Sequence, residues 1–98
     1  MELSVVVYTM KGCPFCDEFK TMLKESKIDF IDRDIDKYND EYSLFSEITK
    51  NDMIPAILIV EGDSKNHQSY LYVPEKDYDQ LSEALDIVKS HRNKMNII

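Results

Sequence analysis

The sequence has few of the residues that build structural cross-links: its 98 residues include only two cysteines and two histidines. Two cysteines cannot form a disulfide framework, and a structural zinc site needs about four ligands. The histidines, His67 and His91, lie far apart in sequence and lack the spacing typical of metal ligands. We therefore predict neither a disulfide-stabilised nor a zinc-stabilised domain, and we assign no metal ligands.

Long hydrophobic runs and positive charge are also scarce. The apolar run at 5–7 is far too short to cross a membrane. Twelve Lys and Arg residues stand against 19 Asp and Glu, which gives a formal net charge of −7. Sequence-independent nucleic-acid binding needs a basic surface, so we expect neither a nucleic acid nor a membrane as partner. The negative charge fits two interpretations, solubility alone or a preference for basic protein surfaces.

The chain shows no repeats, linkers or low-complexity tracts. With 43% hydrophobic residues, 1–98 is predicted to be one domain with a modest core, and we expect a monomer. We expect no signal peptide, because the N-terminus leads from Glu2 directly into a short apolar strand. The expected compartment is therefore a reducing cytoplasm, where a Cys-x-x-Cys pair is more often catalytic or metal-binding than structural.

Both cysteines stand in the segment Cys13-Pro14-Phe15-Cys16, between an apolar run and a segment of helical periodicity. A helix N-terminus carries unpaired N–H groups and a partial positive charge, which lower the pKa of a cysteine placed there. Pro14 suits the first helical position, so Cys13 falls at the cap, facing solvent, and Cys16 is more covered. We therefore predict that Cys13 attacks a disulfide and that Cys16 resolves the mixed disulfide.

The two residues before the motif fit the same chemistry. Lys11 adds a positive charge close to Cys13, and Gly12 allows a tight turn between strand and helix. In the alternative interpretation the cysteines are small buried hydrophobic residues, a less common use of Cys-x-x-Cys at a strand-to-helix junction.

Hydrophobic periodicity and turn residues predict an α/β fold in the order β-α-β-α-β-β-α. A helix connects the first two strands, so they should be parallel, whereas the short link between the last two implies an antiparallel hairpin. Asp32, Asp34 and Asp36 are interpreted as a solvated strand edge in preference to a metal site. Residues from about 93 to 98 are expected to form a frayed tail. The predicted strands are 3–9, 28–35, 55–60 and 68–73, and the predicted helices are 14–26, 38–50 and 74–91.

Apolar faces are predicted on the second and third helices. The second helix should bury Tyr42, Phe45 and Ile48, with Leu44 beside them. The apolar stripe of the third helix is Tyr78, Leu81, Leu85 and Val88.

With Cys-x-x-Cys after the first strand and Ile54-Pro55 opening the third, the chain resembles the glutaredoxins, the compact form of the thioredoxin fold. The resemblance covers nearly the whole chain. Its most specific part runs from Tyr8 to Cys16, where Cys-Pro-Phe-Cys is close to the family's Cys-Pro-Tyr-Cys. It implies three helices and a four-stranded mixed sheet of order 2-1-3-4, with the third and fourth strands antiparallel to the first two. It also implies a cis Ile54-Pro55 bond beside the nucleophilic cysteine.

The resemblance further implies a glutathione-linked thiol–disulfide oxidoreductase that acts on disulfide-containing or glutathionylated proteins. No cofactor would be bound permanently, and glutathione would be the reductant. Cys13 would form the mixed disulfide with glutathione, whose peptide would pair with the Ile54 backbone like an added strand. Lys11 would meet a glutathione carboxylate, and Phe15 would form part of the groove wall. The residues implied for glutathione binding are Lys11, Phe15, Ile54, Pro55 and Asp77.

One segment departs from the family pattern. Glutaredoxins carry Gly-Gly after the fourth strand and then a Ser/Thr/Cys-Asp pair at a helix start, whereas this chain has Val73-Pro74-Glu75-Lys76-Asp77. Asp77 either replaces the family's aspartate or is a plain acid of the first helical turn. The departure favours a protein disulfide as main substrate. It leaves open a thioredoxin-like electron donor, for example to ribonucleotide reductase, recharged by thioredoxin reductase. A third alternative is an iron–sulfur cluster-binding glutaredoxin, although Pro14 stiffens the motif and is unlike the motifs of cluster binders.

Overall fold

A computed structural model of the chain describes residues 2–62 and 65–96. The predicted element order β-α-β-α-β-β-α is confirmed. None of the described helices is long and apolar enough to span a membrane. The strands are Glu2–Thr9 (β1), Ile31–Asp34 (β2), Ala56–Gly62 (β3) and His67–Tyr72 (β4), and the helices are Pro14–Glu25 (α1), Asn39–Thr49 (α2) and Leu81–Asn96 (α3).

The described strands form one sheet of order β2-β1-β3-β4, as predicted. β2 is parallel to β1, and β3 is antiparallel to β1. β4 is antiparallel to β3, so it runs in the same direction as β1. The expectation that the third and fourth strands both oppose the first two is therefore wrong for β4. A hairpin reverses the chain direction once, and the hairpin after β3 returns the chain to the direction of β1.

Helices pack on both faces of the sheet because successive side chains of a strand point to opposite faces. Val5 and Val7 of β1 belong to a core that α1 and α3 complete with Phe19 and Val88. On the other face Tyr8 packs with Val6 and with two rings of α2, Tyr42 and Phe45. β1 thus lies between two cores, and the loop to Cys13 leaves its carboxyl end.

The third helix begins later and ends later than predicted. Residues 73–78 form a turn, in which the N–H of Glu75 donates to the carbonyl oxygen of Tyr78 at 2.7 Å. Glu75 has φ of +69°, a value incompatible with a right-handed helix, so the helix predicted from residue 74 is wrong. At its other end α3 continues through Asn96, which contradicts the frayed tail for 93–96; residues 97–98 lie outside the described range.

α2 buries a narrower face than predicted. Tyr42 and Phe45 are buried, but Leu44 is 58% exposed and Ile48 is 63% exposed, so the prediction is wrong for these two. The aromatic contacts with Tyr8 fix which face of the short helix meets the sheet, and Ile48 lies beyond it. Ile28, predicted at the start of the second strand, precedes the strand but is still buried. The predicted turn before β4 falls partly on 63–64, outside the described residues.

Candidate active site

The cysteine pair lies where β1 passes into α1. β1 ends at Thr9, and Gly12 turns the chain with φ of +78°, a conformation that favours glycine. Cys13 has an extended backbone (φ −97°, ψ 102°) and caps α1, and Pro14 occupies the first helical turn as predicted. The local sequence therefore sets the geometry, because a flexible glycine, a capping cysteine and a helix-starting proline follow one another.

Cys13 and Cys16 are joined by a disulfide, with Cα atoms 5.2 Å apart. The backbone N–H of Cys16 donates to Sγ of Cys13 at 3.2 Å. Cys13 is 8% exposed and Cys16 is 0% exposed, so the predicted asymmetry is present, although Cys13 is more covered than expected. After reduction, the amide at the helix N-terminus would favour negative charge on Cys13 over Cys16.

The Ile54–Pro55 peptide bond is cis, as the family resemblance implied. Pro55 immediately precedes Ala56, which pairs with Tyr8 at the end of β1. The cis-proline loop (residues 51–55) and the loop to Cys13 therefore leave the sheet at the same end, on neighbouring strands. This arrangement brings the start of β3 to the cysteine pair.

The 73–78 turn is tied to the cis-proline loop by two hydrogen bonds. The hydroxyl of Tyr78 donates to the carbonyl oxygen of Pro55, and the side-chain amide of Asn51 donates to the carbonyl oxygen of Pro74 at 3.0 Å. Burial, followed by the charge of Asp77, raises the pKa of Tyr78. Sequence reasoning assigned Tyr78 to a helix stripe and missed this role; its apolar periodicity was the only signal available.

Beside the cysteine pair runs a groove of about 540 Å³, which we call the Phe15 groove. It is lined by Phe15, Glu18 and Met22 of α1, by 53–55 of the cis-proline loop, and by residues from Pro74 to Ser82. Phe15 is 64% exposed and presents its ring to this space. The residues lining it that are charged at neutral pH are all acidic: Glu18, Glu75 and Asp79.

The five residues predicted to bind glutathione do not all meet. Phe15, Ile54 and Pro55 line the Phe15 groove, whereas Lys11 lines a separate polar groove together with Lys20. Asp77 is not in the first turn of a helix, because α3 starts at Leu81. Its carboxylate accepts the backbone N–H of Val73 at 2.8 Å and so holds the 73–78 turn.

The acidic edge strand β2 is held by local partners. Asp32 accepts hydrogen bonds from the Thr9 hydroxyl at 2.6 Å and from Nζ of Lys20 at 3.0 Å. Burial opposes the ionisation of Asp32, but these two bonds outweigh it and lower its pKa. Asp34 accepts the backbone N–H of Asp36 at 2.8 Å. Among the described residues, no group of three or more His, Cys, Asp and Glu is placed to hold a metal ion.

A sheet of order 2-1-3-4, a cysteine pair at the N-terminus of α1 and a cis-proline before β3 together define a thiol–disulfide oxidoreductase of thioredoxin-like fold. The chain belongs to the glutaredoxin family, whose model matches residues 5–63. The match ends before the 73–78 turn, the segment that departs from the family pattern.

A solved structure supports the fold. The chain is similar to the structure of Trichomonas vaginalis thioredoxin, with a TM-score of 0.63 and 18% sequence identity over 95% of this chain and 78% of that one. No curated protein matches the sequence significantly. The glutaredoxin assignment therefore comes from the family model and the motif, and the structural likeness adds the thioredoxin-like architecture.

Proposed function

We propose that this protein is a cytoplasmic dithiol glutaredoxin that reduces protein disulfides and glutathione mixed disulfides, with glutathione as its reductant. The observation that carries the proposal is the asymmetry of the cysteine pair. Sγ of Cys13 accepts the N–H of Cys16 at a helix N-terminus, and Cys13 is 8% exposed whereas Cys16 is fully buried. Cys13 is therefore suited to attack a substrate disulfide, and Cys16 is suited to attack only Cys13.

In the reductive half-reaction the thiolate of Cys13 attacks one sulfur of the substrate disulfide. The substrate S–S bond breaks, and the departing thiolate takes up a proton. Cys16 then loses its proton, and its thiolate attacks Sγ of Cys13. The Cys13–Cys16 disulfide forms, and the second substrate thiol leaves. Two electrons pass from the dithiol to the substrate, so the oxidised pair in the structure is the product state.

Regeneration reverses these bonds with glutathione as electron donor. A glutathione thiolate attacks Sγ of Cys13, which frees Cys16 as a thiol and leaves glutathione bound to Cys13. A second glutathione thiolate attacks that mixed disulfide, releasing glutathione disulfide and restoring the Cys13 thiolate. A substrate that is itself a glutathione mixed disulfide needs only Cys13.

The proposed contacts with glutathione follow from the grooves. The ring of Phe15 and the backbone of Ile54, next to Pro55, would align the peptide beside Cys13. Lys11 would attract a carboxylate from the separate polar groove that it lines. Asp77 would act as a positioning residue, because its carboxylate holds the turn through Val73.

The experiment compares single substitutions in a glutathione-coupled assay. Cys13→Ser should abolish reduction of both a protein disulfide and a glutathionylated peptide. Cys16→Ser should abolish reduction of the protein disulfide but retain deglutathionylation. A Cys13→Ser protein with full activity in either assay would overturn the proposal.

A second candidate function is a thioredoxin-like electron donor, for example to ribonucleotide reductase, recharged by thioredoxin reductase. The Phe15 groove favours it, because the groove offers carboxylates and no cation where an anionic tripeptide would lie. Turnover of one protein disulfide with glutathione and glutathione reductase, compared with turnover with thioredoxin reductase, separates the two candidates.

A further inference from the structure

The Phe15 groove combines apolar walls with an acidic rim. Its apolar lining includes the exposed ring of Phe15 and the side chains of Met22, Met53 and Leu81. Three segments meet here that are distant in sequence: α1, the cis-proline loop and the stretch from Pro74 to Ser82. Phe15, which lines the groove, stands between the two cysteines in the sequence and so links the groove to the redox pair. A substrate whose disulfide is attacked by Cys13 can therefore lay its neighbouring residues along this surface.

Charge within the groove is of one sign. Glu18 comes from α1, and Glu75 and Asp79 come from the segment after β4. None of these three carboxylates forms an ion pair with any side chain that the structure describes. The basic residues nearest in sequence to these carboxylates, Lys20 and Lys76, are not among those that line the groove, and Lys20 pairs with Asp17 and Asp32 instead. A bound peptide would therefore meet negative potential along the groove and no compensating cation.

We propose that the Phe15 groove selects polypeptide disulfides whose reactive cysteine is flanked by Lys or Arg. In this proposal, which rests on the oxidoreductase function proposed above, Glu18, Glu75 and Asp79 are the specificity-determining residues. The occupant is an extended basic segment of a partner protein. Its cationic side chains pair with the acidic rim, and their aliphatic stems lie on the apolar walls. The chain's net charge of −7 adds long-range attraction to the same partner.

Glutathione is disfavoured in this groove for the same reason. It carries a net negative charge at neutral pH, and the three carboxylates of the groove would repel it. This does not prevent glutathione from regenerating the enzyme, because a reductant needs to deliver only its thiolate to Cys13. Substrate and reductant thus use the groove differently: a basic protein pairs with the acidic rim, whereas glutathione needs only the contacts of Phe15 and Ile54 beside Cys13.

The test measures a single oxidation of the reduced protein, with no external reductant. Symmetric peptide disulfides of Ala-Lys-Cys-Lys-Ala, Ala-Gln-Cys-Gln-Ala and Ala-Glu-Cys-Glu-Ala, with capped termini, are each mixed anaerobically with the dithiol protein. Formation of the Cys13–Cys16 disulfide is followed by acid quench, alkylation and mass spectrometry. Each rate constant is divided by that of dithiothreitol with the same peptide, which removes the peptide's intrinsic reactivity.

We expect the Lys peptide to react at least about tenfold faster than the Glu peptide at low ionic strength, the scale typical of electrostatic steering. The preference should shrink at 1 M salt, where the screening length is about 3 Å. The variant Glu18→Gln/Glu75→Gln/Asp79→Asn should lose the preference and react with the Lys and Glu peptides at similar rates. Glu18→Lys should shift the preference towards the Glu peptide.

The matched control is Glu25→Gln/Glu47→Gln/Asp86→Asn, which removes the same charge from exposed positions that do not line the groove. It should retain the preference of the wild type. If it loses as much preference as the groove variant, net charge and not the groove selects the substrate, and the proposal is overturned. Equal rates of the wild type with all three peptides would overturn it as well. Failure to react with any peptide would instead refute the oxidoreductase function on which it rests.

Discussion

The hydroxyl of Tyr78 donates a hydrogen bond to the carbonyl oxygen of Pro55, 23 residues away in the sequence. Tyr78 and Pro55 are both buried, and the bond joins the 73–78 turn to the cis-proline loop. These are two of the three segments that line the Phe15 groove. The shape of the groove therefore depends on the hydrogen bond that joins these two segments.

Tyr78→Phe should weaken both the fold and the site. The substitution keeps the ring and leaves the buried carbonyl of Pro55 without its donor, which costs about 1–3 kcal/mol. We expect the free energy of unfolding, measured with urea, to fall by this amount. The kcat/KM for a peptide disulfide should also fall, because the cis-proline loop loses an anchor. Tyr38→Phe is the control: this exposed ring contacts Arg33, and phenylalanine preserves that contact. Equal stability of the two variants would contradict the assigned role of the Tyr78 hydroxyl.

The reactive end of the molecule was predictable because local rules determine it. Gly12, Cys13 and Pro14 specify a turn, a cap and a helix start in consecutive positions, and β1 is a short apolar run that the fold buries on both faces. No contact distant in sequence is needed to place Cys13 at a helix N-terminus. The cis bond before Pro55, in contrast, was predictable only from the family resemblance, because most X-Pro bonds are trans.

The 73–78 turn was not predictable by the same means. Tyr78 and Val88, both members of the predicted apolar stripe, are buried. A helix from residue 74 and a turn followed by a later helix are both compatible with this burial, so apolar periodicity does not distinguish them. The left-handed conformation of Glu75 and the bond from Tyr78 to Pro55 decide against the longer helix. Both depend on tertiary contacts, which outweigh helical periodicity here. The acidic groove could not be predicted from the sequence for the same reason. Only folding brings Glu18 next to segments that lie far from it along the chain.

A buried polar chain should contribute to stability without contributing to catalysis. Nδ1 of His91 lies 2.6 Å from Oε1 of Glu61, and Nε2 lies 2.6 Å from the hydroxyl of Tyr72. Glu61 pairs with Leu3, at the end of the sheet opposite to Thr9 and the cysteine pair. Glu61→Ala should lower the free energy of unfolding by about 1–3 kcal/mol, because the buried imidazole loses a partner. The kcat/KM should stay unchanged.

The triple variant Glu61→Leu/Tyr72→Phe/His91→Leu tests the physical cause of that loss. It replaces all three polar partners by apolar groups, so neither hydrogen bond is left half-made, and it should be more stable than Glu61→Ala. Urea unfolding of the three proteins, with Glu25→Ala as an exposed control, gives the comparison. A Glu61→Ala protein as stable as the control would show that the chain of hydrogen bonds is not stabilising.

The stability of the fold should fall at acidic pH partly through Glu41. Its Oε1 accepts hydrogen bonds from the Tyr8 hydroxyl and the Arg33 guanidinium, each at 2.5 Å. Burial opposes the ionisation of Glu41, but the bonds from Tyr8 and Arg33 outweigh it and lower its pKa from the ordinary 4.5. Because the pKa is lower in the folded than in the unfolded state, this stabilisation is complete above the unfolded value. This stabilisation is lost as the pH falls through the pKa of Glu41 in the folded protein.

Glu41→Gln should therefore lower stability at pH 7 and flatten its pH dependence as the pH falls below 4.5, the ordinary pKa of glutamate. Urea midpoints at several pH values check both effects. Glu47→Gln, an exposed change on the same helix, should leave the pH dependence of the wild type intact. Parallel pH profiles for wild type and Glu41→Gln would show that this carboxylate does not contribute to acid sensitivity.

The two glycines should respond very differently to alanine. Gly62 has φ of +126°, and a Cβ there would lie 2.1 Å from the carbonyl oxygen of Asn66 and 2.8 Å from Cα of His67. Both are backbone atoms of the β3–β4 hairpin, so the clash can be relieved only by moving the strand pair. Gly12 has φ of +78° and no heavy atom within 4 Å of the same position.

Gly12→Ala should therefore cost only the conformational penalty of a left-handed residue, about 1–2 kcal/mol. Gly62→Ala adds the steric clash to that penalty and should be the more destabilising of the two by a clear margin. Urea unfolding of both oxidised variants measures the difference without involving catalysis. Equal losses would mean that the hairpin backbone relaxes freely around Gly62. In that case its close approach to Asn66 would not explain why glycine occupies the last position of β3.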